Sequence, residues 1–252
     1  MYPGYYGVKY KIKSFDILLD LVGKVYELAE SGLTENGLVI LANKILSDKY
    51  FGRYSERLEG KITLGIIYRP GIMKFNEELL ILMAVIGVGE AIRSYALDIR
   101  VGWLSDIFVG EKKIAYVSCK IINSYYNPII LVEVNVNINV KEFPEEFRDK
   151  FTSMRIESGR IYDVNSVVNR VLMYVDENYR LLTGGYQYIL LNKWRRMNNI
   201  QNKDIEVKLK SGEKIIGKAL DINEDCKLEI KLRDGSKTLV SYKDVEEIMK
   251  IK

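Results

Sequence analysis

The stretch GWLSDIFVGEKKIAYV, residues 102–117, contains two strand-like runs separated by a glycine. The first run covers residues 107–109, and the second starts at Lys113 and continues to residue 122. Runs rich in β-branched and aromatic residues, bounded by glycine and charged residues, predict β-strands. Asp106 stands just before the first run, and Lys113 opens the second. The stretch therefore predicts strands that carry a carboxylate and an ammonium group close together in sequence.

The flanking sequence predicts further strands and helices. Short apolar runs indicate strands, and apolar residues three and four positions apart indicate helices. After an N-terminal strand signal, the predicted order is helix 17–31, strand 37–42, strand 62–70, helix 76–95, strand 99–103, strand 129–140, helix 164–182 and helix 186–197. The charged segment 44–61 predicts a long loop, which in a compact domain is usually functional or disordered. The pattern as a whole predicts an α/β (α+β) domain with a mixed sheet flanked by helices.

The run 129–140 alternates apolar and polar residues. Strand periodicity places its isoleucines and valines on one face and Glu133, Asn135, Asn137 and Asn139 on the other. The simplest interpretation of the second face is that it contacts solvent. The same strand is also a candidate dimer edge, so a homodimer is one expectation.

The pattern changes at residues 198–203, where we expect a domain boundary. The last fifty residues consist of short strand-like runs joined by Ser-Gly and Asp-Gly turns, which predict a small antiparallel β-barrel. Residues 243–248 suggest a final helical turn. Basic and acidic residues are nearly equal in number in the last fifty residues. This segment therefore has no strong positive charge that would favour binding to nucleic acid.

The composition excludes several classes of function. The chain has 252 residues and no histidine, which rules out Ser-His-Asp triads, Cys-His pairs and histidine metal sites. Its net charge of +4 is mild, and its two cysteines are far apart. We expect no metal site, no nucleic-acid partner and a reducing cytoplasm. No apolar run reaches the ~20 residues of a membrane span, and no signal peptide is evident. The chain is rich in Ile, Lys, Glu and Tyr, a composition that favours a thermophilic source organism.

Five stretches, taken in order and spacing, resemble the biotin protein ligases. These are GWLSDIFVGEKKIAYV at 102–117, ITLGIIYRP at 62–70, ILVEVNVNIN at 130–139, FTSMRIESG at 151–159 and the segment from Lys210 to Val245. The resemblance implies a biotin/lipoate ligase-like catalytic domain over residues 1–199 and an SH3-like barrel over residues 203–252. It also implies a two-step reaction: ATP and biotin form biotinyl-adenylate, with Mg²⁺, and a lysine of a biotin carboxyl carrier protein then attacks it. This reaction positions and neutralises phosphates and requires no histidine.

The resemblance also implies roles for individual residues. Lys113 corresponds to the family lysine that contacts the biotin carboxylate and the reacting phosphate, and Asp106 corresponds to the aspartate of the same motif, so both are expected to be catalytic. Four residues are expected to bind the nucleotide or adenylate: Arg53, Arg57, Trp103 and Asn137. Each of these residues also has a purely structural interpretation. Asp106 would end a strand, Lys113 would be solvated, and the two arginines would lie in a solvated charged loop. Asn137 would be a polar residue on the solvent-facing side of a strand.

The chain departs from the family where the biotin pocket needs glycine. Tyr116, Glu133 and Asn135 occupy three such positions, and extra buried atoms at packed positions typically cost about 1–3 kcal/mol. Two hypotheses follow. The chain is an active, divergent ligase that transfers biotin or a related acyl group, or it is a catalytically inactive paralogue that serves as a binding or carrier-interaction module. A regulatory DNA-binding role is disfavoured, because the family-like region begins almost at residue 1.

Overall fold

The computed structural model describes residues 8–32, 34–45, 60–71, 73–122 and 126–251. These residues form twelve strands and five α-helices. The strands are β1 Lys11–Leu18, β2 Leu38–Ile45, β3 Lys61–Ile67, β4 Ile99–Val101, β5 Asp106–Val109, β6 Lys112–Ile122, β7 Asn127–Asn135, β8 Asp204–Leu209, β9 Lys214–Ile222, β10 Leu228–Leu232, β11 Lys237–Val240 and β12 Val245–Lys250. The helices are α1 Leu21–Glu30, α2 Glu77–Arg93, α3 Met154–Ser158, α4 Val164–Thr183 and α5 Gln187–Met197.

The first seven strands form one mixed sheet in the order β1-β2-β3-β7-β6-β5-β4. Only β1 and β2 run parallel, and all other neighbours are antiparallel. Helices α2, α4 and α5 pack on one face and α1 packs on the other. The mixed sheet flanked by helices is the architecture that the sequence predicts. The prediction of a helix starting at residue 17 is wrong, because β1 continues to Leu18 through its pairing with β2.

Helix α2 lies at the centre of the larger hydrophobic core. Its N-cap Asn76 accepts a hydrogen bond from the Leu79 backbone N–H, and Glu77 and Glu78 occupy the first turn, where carboxylates favour the helix dipole. Gly87 permits close packing on α4, since a Cβ there would lie 2.8 Å from the Val175 backbone. The tight α2–α4 contact fixes one side of the sheet.

Strand β7 is a central strand and not an edge. It pairs with β3 on one side and β6 on the other, and all nine of its residues are buried. The interpretation of the strand as a dimer edge is wrong for this reason. The interpretation of a solvent-exposed polar face is wrong for Glu133 and Asn135, whereas Asn139, beyond the end of the strand, is exposed. Glu133 and Asn135 are buried polar residues, and they face the same side of the sheet as Leu131, the side covered further along by α1.

Residues 204–250 form a second, antiparallel five-stranded sheet in the order β11-β10-β9-β8-β12. The prediction of a final helical turn at 243–248 is wrong: a short 3₁₀ turn covers Tyr242–Asp244, and β12 follows and pairs with β8. Val245 and Ile248 are three residues apart, as on a helix, yet pairing with β8 decides the conformation. Pairing with β8, a strand distant in sequence, therefore outweighs the local helical spacing of this segment.

The second sheet is closely joined to the first. The Trp103 indole N–H donates to the Cys226 carbonyl at 2.8 Å, and Arg195 of α5 pairs with Asp221 of β9 at 2.9 Å. The hydrophobic core runs without a break from α2 into the strands of the second sheet. The division into domains at residues 199 and 203 therefore stays a prediction.

Candidate active site

An open cleft of about 460 Å³ lies at one end of the large sheet. This volume includes space at the mouth that is open to solvent. Its lining combines lysines, aromatic rings and two buried polar side chains: Lys61, Lys113, Ala115, Tyr116, Glu133, Asn135, Phe143, Pro144, Phe147 and Phe151. Four residues that the sequence singles out, Lys113, Tyr116, Glu133 and Asn135, thus line the same cleft.

Strand register explains how these residues meet. Tyr116 of β6 lies directly opposite Glu133 of β7, and Asn135 is two residues further along the same strand. The pairing of β5 with β6 skips Ile114, which forms a β-bulge and turns Lys113 towards the side of Tyr116. Adjacent strands and one bulge therefore bring the predicted catalytic lysine to the predicted pocket positions.

Lys113 and Asp106 form an ion pair at the cleft. The Lys113 Nζ and Asp106 Oδ1 atoms are 2.8 Å apart, and the two side chains are 28% and 29% exposed. The Lys113 backbone is anchored as well, because its N–H donates to the Lys150 carbonyl and its carbonyl accepts from the Thr152 N–H. The ammonium also lies 5.8 Å from the ring centres of Tyr116 and Phe151. This is a fixed cation that keeps partial access to solvent and to the cleft.

A second ion pair lies deeper in the cleft. Lys61 Nζ and Glu133 Oε2 are 2.9 Å apart, and the two side chains are only 10% and 11% exposed. The buried Glu133 carboxylate therefore has a counter-ion. The sequence gives no sign of Lys61 as a site residue. Lys61 reaches the cleft because β3 pairs with β7, which places Lys61 opposite Asn135. Lys61 can therefore be predicted as a site residue only when the order of the strands in the sheet is known.

Tyr116 and Asn135 complete the polar part of the cleft. Burial, together with Tyr242, Asp106 and Glu133 nearby, raises the pKa of the Tyr116 phenol far above its usual value, so the phenol stays protonated at working pH. The Asn135 amide donates to the Thr152 carbonyl at 3.0 Å. Both side chains present neutral groups beside the two lysines.

Three phenylalanines form the apolar wall of the cleft. Phe143 and Phe151 stack with ring centres 6.2 Å apart, and Phe147 meets Phe151 edge to face at 5.7 Å. All three belong to the segment between β7 and α3, which contains two short 3₁₀ turns. Aromatic walls with a few placed polar groups suit a ligand that has an apolar body and an anionic end.

The other predicted site residues lie elsewhere. Trp103 is 6% exposed and contacts the second sheet, where its ring meets Tyr242 at right angles, 5.8 Å between centres. The Asn137 side chain makes two hydrogen bonds to the Tyr162 backbone, at 2.8 and 2.9 Å. The structure therefore gives both side chains structural contacts, and their nucleotide roles stay predictions. Arg53 and Arg57 lie outside the described residues.

The described residues contain no group of three or more His, Cys, Asp or Glu side chains that could hold a metal ion. In the same part of the chain, no helix has the length and apolar character needed to span a bilayer. The functional side chains at the cleft supply two ammonium groups, two carboxylates, a phenol and an amide. Such a set can bind and neutralise a carboxylate or phosphate.

The chain is similar to known ligases in sequence and in fold, although no family model matches it. It is 26% identical over 216 residues to the bifunctional ligase/repressor BirA of Bacillus spizizenii and 25% identical over 216 residues to that of Bacillus subtilis. Each match covers 83% of this chain and 66% of the relative, so the chain spans slightly under two thirds of the relatives' length.

Solved structures extend the likeness to nearly the whole fold. The biotin protein ligase of Aquifex aeolicus in complex with biotin and ATP superposes with a TM-score of 0.83 and 18% identity, and the match covers 97% of this chain and 100% of that one. The fold predicted from the sequence is thereby confirmed. In sequence and in fold, the chain is thus similar to the biotin protein ligases, from which it has diverged considerably.

Proposed function

We propose that the chain is an ATP-dependent ligase that activates biotin or a related carboxylic acid as an acyl-adenylate and transfers the acyl group to a carrier-protein lysine. One observation carries the proposal: the Lys113–Asp106 ion pair, 2.8 Å long, stands at the mouth of an aromatic-walled cleft. The apolar body of the acid fits the wall of phenylalanines, and its carboxylate fits the ammonium of Lys113.

Lys113 has the properties that adenylate formation requires of an enzyme cation. The substrate carboxylate attacks the α-phosphorus of ATP, pyrophosphate leaves, and negative charge gathers on the phosphoryl oxygens. A fixed ammonium stabilises that charge and needs little rearrangement as it develops. Asp106 holds the ammonium in place, and the backbone bonds of Lys113 to residues 150–152 restrain its strand. Lys113 thus acts on the reacting atoms, and Asp106 positions it.

The nucleotide and the metal enter the proposal as substrates and not as resident groups. Arg53 and Arg57 are proposed to meet the phosphates, since guanidinium groups bind them through paired charge-assisted hydrogen bonds. Mg²⁺ usually keeps several waters and binds through substrate phosphates and one or two carboxylates. We therefore propose that it arrives with ATP and needs no dedicated cage in this chain.

The acceptor is proposed to be a lysine on a biotin carboxyl carrier protein or a similar carrier domain in the cytoplasm. The relatives named above are described as both ligases and repressors. For this chain, a net charge of +4 gives no support to a nucleic-acid partner. The expectations of a homodimer and of a thermophilic source stay predictions.

One observation favours a second candidate, an inactive paralogue. Glu133 and Lys61 place a buried ion pair in the cleft, and Tyr116 adds a ring, at or beside positions where the family resemblance implies glycine. A cleft altered in this way could bind a partner or a different acid without adenylating biotin. The two candidates differ in a single measurable property, the formation of a covalent acyl-carrier product.

The test is a mass measurement on a carrier domain. The full chain is incubated with ATP, Mg²⁺, biotin and a biotin carrier domain, and the carrier is weighed for a biotin adduct. The proposed function predicts an adduct with the wild-type chain, its loss in Lys113→Ala, and its retention in Lys120→Ala, an exposed lysine at the far end of β6. Absence of an adduct, with no calorimetric binding of biotin or ATP, contradicts the proposal and supports the paralogue.

A further inference from the structure

The Lys61–Glu133 ion pair forms part of the lining of the cleft, and the family resemblance assigns no role to Lys61. Lys61 Nζ lies 2.9 Å from Glu133 Oε2, and both residues line the cleft although their side chains are only 10% and 11% exposed. An ammonium carries several donors and a carboxylate several acceptor sites, so one mutual contact does not exhaust either group. The pair therefore places a donor and an acceptor side by side in the cleft.

The ion pair and Lys113 lie on opposite sides of the central strand of the site. Lys61 is on β3 and lies opposite Asn135 of β7, whereas Lys113 is on β6, the other neighbour of β7. Neighbouring strands are about 4.8 Å apart, so the backbones that carry the two lysines are about 10 Å apart across β7. A ligand whose carboxylate meets Lys113 and that lies across β7 therefore brings its other end to the Lys61–Glu133 pair.

The charges of this pair determine which ligand end is favourable there. A hydrocarbon end would remove the remaining water from the charged groups without replacing its hydrogen bonds, which costs free energy. A carboxamide or urea replaces those hydrogen bonds, because its carbonyl accepts from the ammonium and its N–H donates to the carboxylate. Hydrogen bonds to ionised groups are stronger than those between neutral groups. The pair therefore favours a ligand with an amide or urea end.

The other groups of the cleft have different partners or a different character. The Asn135 amide donates to the Thr152 carbonyl at 3.0 Å, and Lys113 is paired with Asp106 at 2.8 Å. The three phenylalanines of the wall offer apolar surface to the body of a ligand. The cleft thus combines a cation for a carboxylate, an apolar wall, and a buried ion pair for a polar end.

We propose that Lys61 and Glu133 are specificity-determining residues, which select a carboxylic acid with a planar amide or urea group at the end remote from its carboxylate. This selection rests on the proposed function, in which Lys113 receives the carboxylate. It concerns the choice of acid and not the reaction, so it can be measured by binding alone, without ATP.

The experiment compares two isosteric acids by calorimetry on the full chain. One is suberic acid monoamide, and the other carries an isopropyl group in place of the carboxamide. An apolar pocket prefers the isopropyl acid, because a hydrocarbon leaves water more readily than an amide does. The wild-type chain should instead bind the amide acid about 10- to 100-fold more tightly, the factor of one hydrogen bond to a charged group.

Paired substitutions assign this preference to the ion pair. Lys61→Met/Glu133→Leu removes both charges and should invert the preference in favour of the isopropyl acid. Lys61→Met/Glu133→Gln serves if that variant does not fold, and it should lower the preference at least about 3-fold. Lys208→Met/Glu246→Leu is the matched control, because this more exposed pair is also 2.9 Å long, and it should keep the wild-type preference.

The selection and the proposed function fail in different ways. A wild-type chain that prefers the isopropyl acid or binds neither acid, or a folded double variant that keeps the wild-type preference, would overturn the selection by Lys61 and Glu133. Selective binding of the amide acid, with no pyrophosphate exchange into ATP in the presence of that acid or of biotin, would contradict the ligase activity. The two residues would then still select the acid that the cleft binds.

Discussion

Replacement of Lys61 by methionine tests whether the buried ion pair of the cleft stabilises the fold. Lys61 Nζ lies 2.9 Å from Glu133 Oε2, and about nine tenths of each side chain is buried. At an effective dielectric constant of about 20, two unit charges at this distance attract by about 6 kcal/mol, most of which offsets their desolvation. Lys61→Met removes the Lys61 ammonium from this pair, and the expected loss is about 3–5 kcal/mol of unfolding free energy.

The assay is urea denaturation of the full chain, with thermal melting as a second measure. For a chain of this size, the loss corresponds to a fall in Tm of about 10 °C. Lys61→Met/Glu133→Gln removes both charges and should recover at least about 2 kcal/mol of the loss. Lys208→Met is the matched control, because Lys208 also lies 2.9 Å from its partner, Glu246, but both side chains are well exposed; its expected cost is under about 1 kcal/mol. A Lys61→Met variant within about 1 kcal/mol of wild type, or a double variant no more stable than the single one, would refute the reasoning.

Three other changes have defined outcomes. Trp103→Phe removes the hydrogen bond to the buried Cys226 carbonyl and should lower the unfolding free energy by about 1–3 kcal/mol, measured by urea denaturation; an unchanged midpoint would contradict the anchoring role. Asn137→Ala loses two bonds to the Tyr162 backbone and should cost about 1–3 kcal/mol in the same assay, while an unaltered KM for ATP would argue against its predicted nucleotide contact. Burial raises the pKa of the Tyr68 phenol, so the unfolded chain ionises first and stability should fall as pH rises above about 10; a flat stability profile between pH 9 and 11 would be inconsistent with a buried phenol.

The sequence allowed cleft residues to be grouped into one site where they lie on consecutive strands of the chain. Lys113 and Tyr116 fall within one motif, and the strand with Glu133 and Asn135 follows it directly, so a resemblance read along the chain already groups them. Lys61 was not predictable in this way. It reaches Glu133 only because β3 inserts beside β7, a pairing of strands about seventy residues apart that no local pattern specifies.

The errors in the fold prediction share a physical cause. The polar residues of β7 suggested a solvent-exposed face, yet the neighbouring strands and an ion partner bury them. The segment 243–248 suggested a helical turn, yet β8 offered an edge with which it pairs as a strand. In both places, tertiary partners outweigh local periodicity, which is the usual limit of sequence patterns.

The proposed function requires that the cleft beside Lys113 binds a carboxylic acid and activates it on ATP. Its most direct test needs no carrier protein: the exchange of labelled pyrophosphate into ATP, measured with and without biotin. We predict biotin-dependent exchange in the wild-type chain and its loss in Lys113→Ala, with Lys120→Ala unaffected. Exchange that persists at the wild-type rate in Lys113→Ala, or that is absent from the wild-type chain at saturating biotin and ATP, would contradict it.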